Sequence, residues 1–162
     1  KIKASNPDVI FIGAVMPQLS LFAKQMHEQG VKSQLIVPDG GYTPDFINQA
    51  GEANVQGVVM AIQVPPMDAS PAIAEFAKAY KAKFGEEAGP YSIYGYVQGQ
   101  ILEEVIKTAK DFSREEMNAA LHGVKVKTVV GDLEFDDIGE LKVAPSYIYQ
   151  VEGKDFTLKG SN

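Results

Sequence analysis

The chain has 162 residues, 45% of them hydrophobic and 22% charged, with a formal net charge of -6. That length can bury a substantial core, and the composition is that of a folded domain rather than a disordered tract. The acidic balance disfavours a nucleic-acid partner, whose affinity rests on Lys and Arg neutralising phosphates. With no cysteine and two histidines, His27 and His122, disulfide scaffolds, thiol catalysis and Cys/His zinc sites are excluded. Arg114 is the lone arginine, so a bidentate arginine clamp has almost no material. No apolar run approaches the ~18 residues of a membrane-spanning helix.

Residues 1–5 read as the last turn of a helix, stopped by Asn6-Pro7 because the residue before proline is pushed out of helical geometry. A helix reduced to its final turn leads us to expect upstream sequence, so the chain is read as part of a longer one. Val9-Ile10-Phe11-Ile12-Gly13 is a continuous apolar run, as in a parallel strand buried on both faces. Pro17 suits the first position of a helix carrying Leu19, Phe22, Ala23 and Met26, which ends at Gly30. Leu35-Ile36-Val37 is a second buried run. After the loop 38–42, Thr43-Pro44 is an N-cap with a first-turn proline, opening a short helix with Phe46 and Ile47 that stops at Gly51. A third strand, 55–64, leads into Pro65-Pro66. This β-α-β-α-β order means a parallel sheet with right-handed crossovers.

Ser70-Pro71 starts a helix with Ile73, Phe76, Ala77, Tyr80 and Phe84 on its apolar face, and Gly89-Pro90 breaks it. The next helix carries Tyr94, Val97, Ile101 and Val105, broadened by Leu102 and Ile106. So wide a stripe needs more partner surface than a short amphipathic helix does. Ser113-Arg114-Glu115-Glu116 has the spacing of a capping box and opens a helix through Met117, Ala120 and Leu121. A strand or extended segment follows at 125–130. Residues 147–151 and 156–158 form a hairpin across the turn 152–155.

Phosphate loops, dinucleotide fingerprints, nucleophile elbows and metalloprotease motifs are all absent. Asp132, Glu134 and Asp136 alternate like the start of a calcium loop, but Asp137 stands where that loop needs Gly and Val143 where it needs Glu. A strand edge with a turn at 137–139 accounts for these acids. No metal site is expected from these residues, and no nucleophile, base and orienter stand together in sequence, although a triad can be assembled from distant positions.

One constellation remains. Ligands of open parallel sheets bind outside the carboxyl ends of the strands, and two such ends are visible: 13–18 and 38–43. The second offers Asp39 between Pro38 and Gly40-Gly41, which let a ligand approach the backbone, with Tyr42 alongside. The first feeds a helix whose expected N-cap, Met16, is a poor one, leaving N–H groups for an anionic group such as a ligand carboxylate. A carboxylate on one loop and N–H groups on the next suit a zwitterion. The pattern fits equally an Asx-turn at Asp39 and a packing role for Tyr42.

Asn6-Pro7-Asp8-Val9-Ile10-Phe11-Ile12-Gly13, the loop 38–43, the stretch 50–58, Gly89-Pro90-Tyr91 at a helix start and the stretch 131–141 occur in this order. With them, the whole chain resembles the second half of leucine/isoleucine/valine-type (type I) periplasmic solute-binding proteins of ABC transporters. The resemblance implies an α/β fold of two lobes closing on an amino acid. It assigns 1–64 and 144–162 to an incomplete parallel-sheet C-terminal lobe. It assigns 65–143 to the crossover and to helices of the N-terminal lobe, whose sheet lies upstream. Asp39 falls where the family places an acid that pairs with the ligand's amino group. The family's leucine-binding members carry a tyrosine just before the proline aligned with Pro17. Here Val15-Met16 replaces it, which departs from a leucine-like site and leaves Tyr42 as the ring on the neighbouring loop.

The ligand-binding set this reading implies is therefore Asp39, Tyr42, Gly40, Val15 and Met16, for an amino acid or similar amine, with no catalytic residue, cofactor or metal expected, and the chain is read as a non-enzyme. The implied partners are an ABC-transporter permease and either the missing N-terminal half or a second copy of the chain. The implied place is periplasmic, with a signal peptide outside this chain. A ligand-sensing regulatory or receptor domain on the same fold is the alternative function. A small flavodoxin-like enzyme is a third reading, which requires a bound cofactor and a complete sheet.

Overall fold

The computed structural model describes residues 1–162, which divide into two compact units: Lys1–Val64 with Pro145–Asn162, and Pro65–Ala144. The first unit is an α/β sheet. After a single turn α1 (Ile2–Ser5), closed by Asn6 in the left-handed region, come β1 (Val9–Phe11), α2 (Gln18–Glu28) and β2 (Gln34–Val37). A 3₁₀ turn, Asp39–Gly41, then leads to α3 (Pro44–Ala50), α4 (Glu52–Val55) and β3 (Val59–Ile62). The strand expected at 55–64 is thus shorter at both ends, and at its start because 52–55 coil as α4 and Gly57, at φ 79, turns the chain into the sheet. The closing hairpin joins β6 (Tyr147–Glu152) to β7 (Asp155–Ser161).

The sheet order is β1-β2-β3-β6-β7, with β1, β2 and β3 parallel and the hairpin antiparallel. Successive side chains alternate between faces. On one face Leu35, Val37, Met60, Ile62, Tyr149 and Val151 are buried, as are Leu19, Ala23, Phe46, Ile47 and Val55 of the connecting helices. On the other face Val9 and Phe11 are exposed (51% and 68%), as is Ile148 at 37%. A parallel sheet ordinarily carries helices on both faces. Here the helical connections are on one.

The second unit holds α5 (Pro71–Phe84), α6 (Ser92–Thr108), α7 (Arg114–Gly123) and a hairpin of β4 (Lys125–Thr128) with β5 (Gly131–Glu134). Ile73 and Phe76 of α5 pack with Ile93 and Val97 of α6, while Val105 packs with Val124 and Val126 at the base of α7. The outer part of the wide stripe stays uncovered, with Leu102 and Ile106 at 52% and 45% exposure. The capping box forms only by half. Ser113 Oγ accepts the Glu116 N–H at 3.3 Å, but the Glu116 carboxylate turns to the Lys110 N–H, since Asp111 already accepts the Ser113 N–H at 2.8 Å.

Candidate functional site

The candidate site grows from the carboxyl ends of β1 and β2. Val37 ends β2 with its side chain 1% exposed, and Pro38 extends the backbone before the turn closes. Gly41 N–H donates to the Pro38 carbonyl at 3.0 Å and Tyr42 N–H to the Asp39 carbonyl at 2.8 Å. Gly41 is buried here for a steric reason: a Cβ on it would stand 2.8 Å from Val37 Cγ2. The turn can therefore sit this tightly on the core only with glycine at 41.

Asp39 is exposed at the tip of this turn, and its Oδ1 accepts the Gly40 N–H at 2.9 Å. A Cβ on Gly40 would lie 3.8 Å from the Ala14 carbonyl oxygen and from Val15. The two loops singled out in the sequence thus meet, at Gly40 against Ala14-Val15. Val15 is 66% exposed beside them.

Behind the first loop, Met16 is half-buried, and its sulfur accepts the Ser20 hydroxyl at 3.2 Å. Ser20 is 2% exposed, so its hydroxyl needs an acceptor inside the protein, and Met16 provides one. The cap of α2 differs from expectation. Pro17, not Met16, occupies it after a cis Met16–Pro17 peptide, and no side chain caps the helix. Helix ends shift by a residue in this way when no side-chain oxygen pins them.

Tyr42 is half-buried, its ring 4.7 Å from that of Tyr149 and 4.8 Å from that of Phe156. Burial raises its phenol above the ordinary tyrosine range, and a hydrogen bond with Tyr149 opposes the rise. The packing role weighed for this ring is therefore real. Tyr149 and Ser20 escaped the sequence reading. Ser20 had a local signal, a polar residue on a buried stripe one turn after Met16. Tyr149 had none, since its contact with Tyr42 joins the two ends of the chain.

Two of the three alternating acids, Glu134 and Asp136, have structural partners. Glu134 pairs with Lys125 and Lys142, each at 3.1 Å, and these ammonium groups hold its carboxyl below the usual range. Asp136 Oδ1 accepts the N–H groups of Ile138 and Glu140 at 3.0 and 2.9 Å, which closes the turn. His27 and His122 are exposed. In the second unit, α5 and α6 flank an open groove of about 640 Å³ walled by Phe76, Tyr80, Phe84 and Tyr96. It is an aromatic trough rather than a converging set of polar groups.

With this geometry in view, the chain belongs to the family described as "Periplasmic binding protein", which it matches over residues 1–156. This is a family of solute-binding proteins, not of enzymes. The Leu/Ile/Val-binding protein homolog 1 of Brucella abortus (strain 2308) is 34% identical over 149 residues, covering 91% of this chain and 39% of that protein. The chain thus spans well under half the length of such relatives. A crystal structure of a leucine binding protein, LivK, from Thermotoga maritima superposes with a TM-score of 0.85 at 24% identity, over 98% of this chain and 45% of that one. A solute binding protein of an ABC transporter from Rhodopseudomonas palustris BisB5, solved with 3,4-dihydroxy benzoic acid, gives a TM-score of 0.71 at 28% identity. It covers 99% of this chain and 45% of its own. The fold is the type I periplasmic binding fold, of which this chain is a part. No helix is long and apolar enough to cross a membrane.

Proposed function

We propose that this chain is the C-terminal part of a periplasmic solute-binding protein that captures an amino acid or similar amine by closure of two lobes and delivers it to an ABC-transporter permease. The first unit is its C-terminal lobe without the upstream elements, and the second contributes helices to the N-terminal lobe. The missing upstream chain covers the bare sheet face around Phe11 and the outer stripe of α6. The observation that carries this reading is the meeting of the loops 13–17 and 38–42, with Asp39 exposed on the turn and Gly40 against Val15.

In this site Asp39 pairs with the ligand's ammonium. Gly40 allows close approach, Val15 and Met16 form an apolar wall, and Tyr42 adds the ring edge that its packing leaves accessible. The Brucella relative's name supports an amino acid as the ligand. The Rhodopseudomonas structure raises a second class, an aromatic carboxylate, which carries no amine for Asp39 to meet. A sensing domain of the same fold would use the same site and differ in what lies upstream.

Calorimetry on the full-length protein separates these classes. The panel is L-leucine, L-valine and L-threonine, the amine-lacking 4-methylpentanoate and 3-methylbutanoate, and 3,4-dihydroxybenzoate. We expect at least one amino acid to bind and its amine-lacking analogue to bind far more weakly. Binding of the benzoate alone, or equal binding of acid and amino acid, contradicts the assignment of Asp39.

A further inference from the structure

Asp39-Gly40 is the only place in the chain where an Asp or Asn is followed by glycine. Glycine carries no Cβ to crowd its own nitrogen, so that nitrogen is free to approach the carboxyl of the residue before it. The turn holds the two groups together, with the Gly40 N–H donating to Asp39 Oδ1 at 2.9 Å. By contrast, Asp111 accepts from Ser113, and Asp136 from Ile138 and Glu140, and bulkier Phe112 and Asp137 follow them. The backbone bonds of the turn run from Gly41 to Pro38 and from Tyr42 to Asp39, and they leave the Gly40 N–H out. Turning that nitrogen towards Cγ therefore breaks only its contact with the carboxylate it would attack. Asp39 is exposed, so water reaches it.

We infer that Asp39-Gly40 is a site of spontaneous succinimide formation and isomerisation to isoaspartate, and that this takes the amine-binding carboxylate out of its place. The consequence for binding rests on the reading of Asp39 given above; the modification itself does not. In the first step the Gly40 nitrogen bonds to Asp39 Cγ through its lone pair and gives up its proton. The Cγ–OH bond of the neutral acid breaks, and the hydroxide takes that proton and leaves as water. Water then adds to one of the two ring carbonyls. Cleavage of the N–Cγ bond restores aspartate. Cleavage of the bond from nitrogen to the Asp39 main-chain carbonyl gives isoaspartate, the nitrogen regaining its proton in either case. One water is lost and one regained, so the product is an isomer.

Isoaspartate routes the main chain through Cβ and Cγ and leaves the former main-chain carbonyl as the free carboxylate. That carbonyl accepts the Tyr42 N–H at 2.8 Å in the turn as it stands. The turn is thus rerouted, and the charge sits closer to the backbone than the side chain had carried it. A ligand ammonium paired with the Asp39 carboxylate holds it away from the nitrogen, so occupied protein should isomerise more slowly.

The test incubates the full-length protein in warm buffer, with and without whichever of L-leucine, L-valine and L-threonine binds tightest. Isoaspartate is located by peptide mapping with electron-transfer fragmentation and counted by enzymatic methylation. It should accumulate at Asp39, more slowly with the amino acid bound, and severalfold more slowly in Gly40→Ala, whose Cβ crowds the nitrogen. In calorimetry the number of binding sites per chain should fall in step with the isoaspartate content, while the affinity of the remaining sites stays the same. Isoaspartate that forms at Asp39 in the urea-unfolded chain but not in the folded protein overturns the proposal, as does equal formation in Gly40→Ala. A full number of sites in isomerised protein overturns the consequence for binding. If Asp39→Ala also binds as the parent does, it is the reading of the site that has failed, and the modification stands on the peptide map alone.

Discussion

Two adjacent glycines in one turn have opposite tolerances. A Cβ at Gly41 meets Val37 Cγ2 at 2.8 Å, and Val37 is a stiff, buried, β-branched side chain with Leu19 Cδ1 beyond it at 3.6 Å from the same point. Gly41→Ala should cost about 1–3 kcal/mol by overpacking, read as a lower denaturant midpoint. Gly40→Ala meets only ordinary contacts at 3.8 Å and should leave stability within about 0.5 kcal/mol of the parent. Equal effects of the two would mean that the turn is not seated as described. Tyr42 gives a pH-dependent counterpart. Its phenol is raised in the folded state, so the folded protein holds that proton longer than the unfolded chain does. The resulting stability is fully present below pH ~10, the ordinary tyrosine value, and is lost as the pH rises through the folded value. Unfolding followed across alkaline pH should show a shallower decline in Tyr42→Phe than in the parent, and parallel curves would refute this contribution.

Among the elements, those set by neighbours in sequence were legible and those set by distant contacts were not. Ser70 caps α5 as its Ser-Pro start implied, its Oγ accepting the Ile73 N–H at 3.2 Å. The alternation of apolar runs with glycine and proline stops was enough to read β1, α2, β2, α3 and β3 in order. The start of β3 was not, because residues 52–55 are turned into α4 by the glycines that flank them. The capping box at 113–116 failed by half for a similarly local reason, competition from Asp111 for one N–H, which spacing alone does not reveal. Of the site, the turn at Asp39 and its nearness to Val15 followed from strand polarity, whereas the support from Tyr149 depends on a hairpin at the other end of the chain. Ser70→Ala should lower stability by about 1 kcal/mol, the usual value of a serine cap. Glu116→Gln, which keeps an acceptor for the Lys110 N–H, should change it by less than half of that. Chemical denaturation of both variants checks the contrast.

For the whole molecule, surface left bare matters as much as the core. Phe11, Val9 and Ile148 on the sheet, and Phe84, Tyr96, Leu102 and Ile106 on the helices, are large apolar side chains in open positions. Contiguous apolar patches beyond a few hundred Å² promote association. The 162-residue chain on its own should associate with rising concentration in light scattering, and Phe11→Lys should reduce that association. A monodisperse monomer at every concentration would show that these faces need no cover. The same chain should bind an amino acid weakly or not at all, because a half-site lacks the contacts of the other lobe.

The decisive measurement compares two carboxylates in the full-length protein by titration calorimetry with its tightest-binding amino acid. Asp39 stands at the turn tip, whereas Asp45 is exposed in the first turn of α3. Removing one partner of a desolvated charge pair costs about 3–5 kcal/mol, so Asp39→Ala should weaken binding by roughly two to three orders of magnitude. Asp45→Ala should change it by less than about threefold, as befits an exposed charge. If the two variants bind alike, Asp39 is a turn former only, and the amine is held elsewhere.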